Sequence, residues 1–233
     1  MEVPDDMKHT NLRGECYTLL ATCFYPPERE DLIRDGLIER LGHVMDHVCP
    51  SAAGIVKKME ETLQLYSNEE LSIEYAKLFV GPFRLKVPPY GSVYIEEGRR
   101  VMGDSTMDVI NMYREAGLSI REDFKELPDH IGVELEFMSY LAFKELESVQ
   151  ESCESRAIAY GKKQKDFLNR FLCRWVPAFC NRLRENSDND FYTLLAACVE
   201  SFLSCEISRP DLTSGEDSYS SSEVMQHVGE NDS

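Results

Sequence analysis

Apolar residues recur every three or four positions along most of this chain, which is the period that an amphipathic helix presents on one face. Strand-like alternation is scarce, and SVYI at residues 92–95 is the best strand candidate. We therefore predict an all-α fold, a single-domain bundle of about seven to nine helices. The helices are expected over residues 10–24, 28–48, 52–66, 69–80, 104–116, 128–149, 155–186 and 188–205.

Proline and glycine residues mark the expected ends of several helices. The Pro-Pro pair at residues 26–27 ends the first helix, Gly81 and the proline after it close the fourth, and Gly117 suits the C-cap of the fifth. Pro177 is expected to kink the long helix that contains it. From Gly81 to about residue 102, the chain is expected to form a long irregular loop that contains prolines and tyrosines.

The C-terminal residues differ in composition from the rest of the chain. From Ser208 onward they are polar, acidic and rich in serine, with few residues that could form a core. Such segments cannot bury enough apolar surface to offset the entropy lost on ordering. We predict an all-helical domain over residues 1–207 and a disordered tail over residues 208–233.

The formal net charge of −17 restricts the kinds of partner. It argues against nucleic acid and against a fixed site on anionic lipid, and it suits a basic partner. No stretch reaches the length of a membrane span, and the first ten residues, MEVPDDMKHT, lack the apolar core of a secretory signal. We expect a cytoplasmic protein that neither binds nucleic acid nor inserts into a membrane.

The chain has eight cysteines, and none of them form a CxxC motif. Six lie in pairs seven residues apart, a spacing that puts both thiols of a pair on one face of a helix beside apolar residues. We interpret them as buried, reduced residues that act as small hydrophobes rather than as metal ligands or disulfides. The pairs are Cys16 with Cys23, Cys173 with Cys180, and Cys198 with Cys205.

Two motifs that contain histidine are candidates for chemistry. In HVMDH, His43 and His47 have a metal-ligand spacing, but the glutamate of a zinc protease motif and a nearby third ligand are missing. In DHIGVELEF, Asp129 is expected in the first turn of a helix. His130 and Glu134 share a face there, and their pairing would raise the pKa of His130. An acid–base site, a metal site, and a polar cluster that caps the helix and meets a partner stay open for this motif.

The segment VPPYGSVYIEEGRR at residues 87–100 contains no catalytic chemistry. Its two prolines stiffen the backbone, and Gly91 allows the chain to turn. Tyr90 and Tyr94 present large rings with polar tips, which are cheap to order because they have few rotatable bonds. Such a loop either seals an edge of the core or forms a recognition surface.

Three segments together resemble the TorD-like family of molybdoenzyme maturation chaperones, which proofread twin-arginine signal peptides. The matching segments are EYAKLFVGPFRLKVPPYGSVY at residues 74–94, ELPDHIGVELEFMSYL at 126–141, and the helical stretch at 167–203. The resemblance implies an all-helical, single-domain binding protein without catalytic residues, metal or cofactor. Its expected partner is the twin-arginine signal peptide and immature form of a molybdopterin-dependent oxidoreductase, which it would retain until cofactor insertion.

The resemblance also indicates which residues form the partner-binding surface, and it favours recognition as the purpose of the stiff loop. Asp129 and Glu134 are our candidate partners for cations, and Tyr90 and Tyr94 are candidate aromatic walls. The full predicted set is Tyr90, Ser92, Tyr94, Pro128, Asp129, His130 and Glu134.

Two other functions stay open from the sequence. One is a metal-dependent hydrolase that uses His43 with His47, or His130 with Glu134. The other is a permanent scaffold subunit of an oxidoreductase complex. The choice between monomer and dimer and the identity of the client oxidoreductase also stay open, because client choice is a difference of affinities spread over a surface.

Overall fold

The computed structural model describes residues 5–27, 36–81, 85–98, 100–121 and 124–210. Its helices are α1 (Asp5–Thr22), α2 (Leu37–Val48), α3 (Pro50–Leu63), α4 (Asn68–Tyr75), α5 (Ser92–Ile95), α6 (Asp104–Glu115), α7 (Ile131–Gln150), α8 (Glu154–Phe167), α9 (Cys173–Asn186) and α10 (Asp190–Ile207). Two π-helical segments, Ala76–Val80 and Leu168–Leu172, continue α4 and join α8 to α9. The described residues thus form nine continuous helical segments and contain no strand, which confirms the all-α prediction.

Local sequence signals account for several helix ends. Ser67 and Glu70 form a capping box at the start of α4, in which each side chain accepts from the other residue's backbone N–H. Asn189 caps α10 by accepting from the backbone N–H of Phe191. Gly81 and Gly117 end their helices with positive φ angles of 51° and 85°, a conformation that glycine adopts without a steric cost.

The helices bury one continuous core. α7 packs against α1 and α8, while α10 packs against α3 and α9, and α2 contacts both α1 and α3. Trp175 of α9 is the largest fully buried side chain and lies among Tyr94 and Phe179. The short helix α5 packs against α9, which brings the irregular loop onto this aromatic part of the core.

A buried ionic network fastens α1 to the end of α10. Arg13 is fully buried and donates to both carboxylate oxygens of Glu206, at 2.8 and 2.6 Å, and to Gln164 Oε1 at 2.8 Å. The hydroxyl of Tyr17 also donates to Glu206, at 2.9 Å. Burial alone would raise the pKa of Glu206, but the hydrogen bonds and charge of Arg13 lower it below its ordinary value.

Several predicted boundaries need correction. The strand candidate SVYI is the helical turn α5, whose first N–H donates to the side chain of Asp129, two residues before α7. Helix α3 begins at Pro50, two residues before its expected start at residue 52, since the N–H that proline lacks is not needed in the first turn. Pro177 is accommodated inside α9, and the departure from α-helical hydrogen bonding lies before it, at Leu168–Leu172.

The cysteines follow the prediction in part. Cys16, Cys23, Cys180 and Cys198 are buried free thiols, as predicted, and burial raises the pKa of each. Cys205 differs: it is bonded to Cys49, whose Cα atom lies 6.1 Å away. The spacing of seven residues could not show this pairing because the two cysteines are 156 positions apart.

Some predictions fall outside the described residues. They are the helical start at residues 28–35 and, apart from residues 208–210, the predicted disordered tail at residues 208–233. Within the described ranges, the helices are too short or too polar to cross a membrane.

Candidate partner-binding site

The stiff loop is joined to the start of α7 by two backbone hydrogen bonds. Gly91 N donates to the carbonyl of Asp129 at 2.9 Å, and Ile131 N donates to the carbonyl of Pro89 at 2.8 Å. These bonds make Tyr90 and His130 an isolated antiparallel bridge. We call residues 87–95 together with residues 126–134 the junction. It contains all seven residues of the predicted set.

Asp129 is a buried connection between the two halves of the junction. Its side chain is enclosed, with the residue 1% exposed, and Oδ2 accepts from the backbone N–H of Ser92 at 2.8 Å. The carboxylate therefore supplies a partner to the first N–H of α5. Asp129 does not lie in the first turn of α7, which begins only at Ile131.

His130 caps α7 and is neutral at physiological pH. Its Nδ1 accepts from the backbone N–H of Gly132 at 3.1 Å, and its Nε2 lies 3.4 Å from Oε2 of Glu126. Burial lowers the pKa of His130 to about 4, so the ring is neutral at pH 7, and because Nδ1 accepts a hydrogen bond, Nε2 carries the single proton. The expected pairing with Glu134 is wrong, because the carboxylate of Glu134 accepts from Trp175 instead. The expected rise of the His130 pKa is also wrong, because burial lowers it.

Two tyrosines contact the imidazole of His130. Tyr25 stacks on it, with ring centroids 5.6 Å apart and an interplanar angle of 21°. Tyr90 meets it edge-on, also at 5.6 Å. Gly132 leaves room for Tyr25, since a Cβ at that position would lie 2.9 Å from the tyrosine Cζ. Tyr25, His130 and Tyr90 thus form a cluster of three rings at the junction.

Glu134 faces the core. It is 1% exposed, and Oε2 accepts from Trp175 Nε1 at 3.0 Å. Burial raises the pKa of Glu134 well above its ordinary value, the tryptophan hydrogen bond opposes this rise, and the charge of Asp129 adds to it. A Cβ on Gly91 would lie 3.0 Å from Trp175 Nε1 and 3.3 Å from Glu134 Oε1, so the loop approaches this pair as closely as glycine permits.

The structure thus brings the seven predicted residues together but exposes only two of them. Tyr90 and Tyr94 are half-buried, and Tyr94 stacks on Trp175 at 5.6 Å. The other five, which are buried, are Ser92, Pro128, Asp129, His130 and Glu134. In this conformation neither carboxylate is exposed to pair with a partner's cation, and the part that these residues play in binding stays a prediction.

Two accessible carboxylates, Glu126 within the junction and Glu136 just after it, were not singled out from the sequence. Glu126 lies beside His130 and is partly exposed, and Glu136 is exposed and hydrogen-bonds Tyr25. Partial burial raises the pKa of Glu126 and of Glu136. The signal that could have identified Tyr25 is the Pro-Pro pair next to it, which repeats the aromatic–proline pattern of the VPPY segment.

An apolar groove of about 310 Å³ opens next to Pro128. Glu136 lies on its lining, and Ile120 and Phe124 on its wall are each 42% exposed. The other main apolar and aromatic residues of the lining are Tyr113, Leu118, Val133, Phe137 and Tyr140. Tyr113 also donates to the carbonyl of Pro128 at 2.8 Å, which fixes the junction to the groove.

The metal-site alternatives gain nothing from the geometry. His43 and His47 are exposed neighbours with ring centroids 5.1 Å apart. Within the described ranges, no group of three or more His, Cys, Asp or Glu side chains could hold a metal ion.

Comparison with known proteins identifies relatives over most of the chain. The family model described as nitrate reductase delta subunit matches residues 46–181. A chaperone protein TorD from Photobacterium profundum is 31% identical over 156 residues, which are 61% of this chain and 70% of the relative. A TorD chaperone from Aliivibrio fischeri is 25% identical over 193 residues, 83% of this chain and 80% of the relative.

Two further similarities extend this comparison. A Haemophilus influenzae protein described as a Tat proofreading chaperone, DmsD, is 27% identical over 140 residues, which are 60% of this chain and 62% of the relative. A crystal structure of a candidate redox enzyme maturation protein from Archaeoglobus fulgidus superposes with a TM-score of 0.52 and 24% identity. It covers 82% of this chain and 93% of that one, and at this identity it supports the fold alone.

Proposed function

The chain belongs to the nitrate reductase delta subunit family, and from this premise we propose that it is a redox-enzyme maturation chaperone like its TorD and DmsD relatives. Its partner is the immature catalytic subunit of a molybdopterin-dependent oxidoreductase together with the twin-arginine signal peptide of that subunit. The chaperone binds in the cytoplasm, assists cofactor insertion and delays export. It acts by binding and catalyses no reaction.

The observation that carries this proposal is the apolar groove beside an aromatic and acidic rim. A signal peptide of this type combines two arginines with an apolar segment. The groove offers exposed Ile120 and Phe124 to the apolar segment. Glu136 on its lining and Glu126 in the adjoining junction offer accessible carboxylates to the arginines. An amphipathic peptide that lies in a groove with charges at the rim is a recurrent mode of recognition.

The junction's buried residues support this surface from beneath. Asp129 and His130 hold the loop and the start of α7 in one arrangement, and Glu134 positions Trp175 under Tyr94. In this proposal, Tyr90 and Tyr94 are the aromatic walls that the sequence suggested. The overall charge of −17 adds a long-range attraction for a basic peptide, which raises the association rate and falls with salt.

Titration calorimetry with a synthetic twin-arginine signal peptide tests the proposal. We expect binding by the native peptide and at least tenfold weaker binding by a peptide in which both arginines are glutamine. Equal binding of the two peptides, or no binding of either, would contradict the proposal. Co-purification with the immature oxidoreductase, and not with the cofactor-loaded enzyme, separates a transient chaperone from a permanent scaffold subunit.

The rim carboxylates give a second test. Glu136→Gln should weaken binding of the native peptide by roughly threefold to tenfold, and the loss should shrink at high salt because an exposed charge is screened. Glu60→Gln is the matched control, since Glu60 is an exposed glutamate on α3 and is not part of the groove. If both variants lose affinity equally, the effect is one of net charge and not of this rim.

A further inference from the structure

Cys49 and Cys205 occupy a place in the fold unlike that of the buried free cysteines. Cys49 lies at the corner between α2 and α3, and Cys205 lies in the last turns of α10. Their Cα atoms are 6.1 Å apart, within the range of about 4.4–6.8 Å that a disulfide spans. The contact therefore joins the corner between α2 and α3 to the end of α10.

The surroundings of this pair are polar and partly open. Cys49 is fully buried, whereas Cys205 is partly exposed and can meet a reagent from solvent. The hydroxyl of Ser51 lies 3.2 Å from the Cys49 sulfur and 3.7 Å from the Cys205 sulfur, and the hydroxyl of Ser201 lies 2.9 Å from that of Ser51. These hydroxyl groups make the immediate surroundings of the pair polar.

The other four buried cysteines are not bonded to a partly exposed partner. Cys16, Cys23, Cys180 and Cys198 are enclosed, and burial raises the pKa of each, which makes them unreactive. A disulfide in a compartment that keeps thiols reduced is usually transient or regulatory. Cys49 and Cys205 differ from these four cysteines, because they are bonded to each other and Cys205 is accessible from solvent.

We propose that Cys49 and Cys205 form a reversible thiol–disulfide site that locks the end of α10 onto the corner between α2 and α3. The oxidant is a low-molecular-weight disulfide. The Cys205 thiolate attacks one of its sulfur atoms and displaces a thiolate, leaving a mixed disulfide on the protein. The Cys49 thiolate then attacks the Cys205 sulfur and displaces the second thiolate. The two protein thiols lose two electrons and two protons, and the small disulfide becomes two thiols.

The site has a structural consequence because of its neighbour in the sequence. Glu206, the residue after Cys205, holds Arg13 and Tyr17 of α1. Oxidation therefore fixes covalently the same end of α10 that the buried ionic network holds, and it closes a loop across 156 positions of the chain. Reduction leaves the attachment of this end to the ionic network and to apolar packing alone. The redox state thus sets how readily α10 separates from the N-terminal helices.

The test compares the full chain after treatment with oxidised glutathione and after treatment with dithiothreitol. Intact-mass spectrometry should show the loss of two hydrogens after oxidation, and peptide mapping of alkylated protein should assign the bond to these two cysteines. Because the closed loop is long, the oxidised protein should melt about 10 °C above the reduced protein.

Variants keep this test decisive. In Cys205→Ser, the difference in melting temperature between the two treatments should disappear. In Cys153→Ser, which removes another partly exposed thiol, the difference should persist. The proposal is overturned if oxidation produces only glutathione adducts, if mapping places the bond elsewhere, or if the melting difference survives in Cys205→Ser. Because the native protein provides both redox states, the mass measurement decides the question even if a serine variant folds poorly.

Discussion

Replacing Asp129 by alanine or by asparagine separates the structural role of this carboxylate from a direct electrostatic one. Asp129→Ala removes the only described acceptor of the Ser92 N–H and leaves that donor buried without a partner. Loss of a buried hydrogen bond to a charged group costs about 1–3 kcal/mol. For a chain of this size, each kcal/mol lowers the melting temperature by about 2–4 °C. Asp129→Ala should therefore melt roughly 2–12 °C below the native protein.

Asp129→Asn is the sharper change. The asparagine oxygen can still accept from Ser92 N–H at the same place, and the side chain has nearly the same volume, so α5 keeps its cap. We expect the free energy of unfolding in urea to stay within about 1 kcal/mol of the native value. The variant removes the charge and keeps the shape.

Binding of the twin-arginine peptide then distinguishes the two roles. Since the Asp129 carboxylate is enclosed, we expect Asp129→Asn to bind the peptide within a factor of about two of the native protein, while Asp129→Ala binds more weakly because the loop loosens. The measurement is titration calorimetry on variants whose folding has been checked by urea denaturation. If Asp129→Asn is as stable as the native protein yet loses binding tenfold or more, this reasoning is refuted and the carboxylate pairs directly with a cation.

Three further predictions concern the core around the site and the ionic network. Glu134→Gln should gain stability relative to the native protein as the pH rises above about 4.5, because a raised pKa in the folded state means that ionisation of Glu134 destabilises the fold. Urea denaturation between pH 4 and pH 8 measures the difference in the free energy of unfolding, which should vanish at the acid end. Gly91→Ala should destabilise the protein by about 1–3 kcal/mol, because the new methyl group would contact the indole of Trp175. Gly54→Ala, the same change at an open helical position, should stabilise it by about 0.5–1 kcal/mol. Equal effects of the two changes on the melting temperature would refute the steric argument. Arg13→Met should cost about 3–5 kcal/mol because Glu206 stays buried without its partner, and adding Glu206→Leu should recover part of that loss; an additive double-mutant cycle would show that the pair is not coupled.

Much of the fold could be predicted from local patterns. Apolar period identified the helices, and Ser67, Gly81 and Gly117 act at helix ends as residues of their types do in any chain. These signals depend on neighbours within a few positions, so a single sequence contains them. The motifs at residues 74–94 and 126–141 likewise indicated the family, and the structure brings the seven residues predicted from them together at the junction.

The junction shows where local reasoning stops. Sequence spacing placed His130 and Glu134 on one face and suggested that they pair, but the tertiary structure directs them to different partners. His130 meets Tyr25, and Glu134 meets Trp175, 41 positions along the chain. Their pKa shifts come mainly from burial, which depends on everything that packs around a side chain. A helical period shows which face is apolar and leaves open how deeply a polar group at its edge is buried.

The stiff loop and the cysteines show the same difference between features that depend on neighbouring residues and features that depend on tertiary contacts. That the VPP segment is stiff could be predicted from the sequence, since proline restricts the backbone wherever it occurs. The helical turn at SVYI could not be predicted in this way, because the acceptor for the Ser92 N–H is a carboxylate 37 positions away. Likewise, only the fold brings Cys49 to Cys205. Backbone preference is a property of neighbouring residues, whereas capping, burial and thiol pairing need atoms that folding alone brings within a few ångströms of one another.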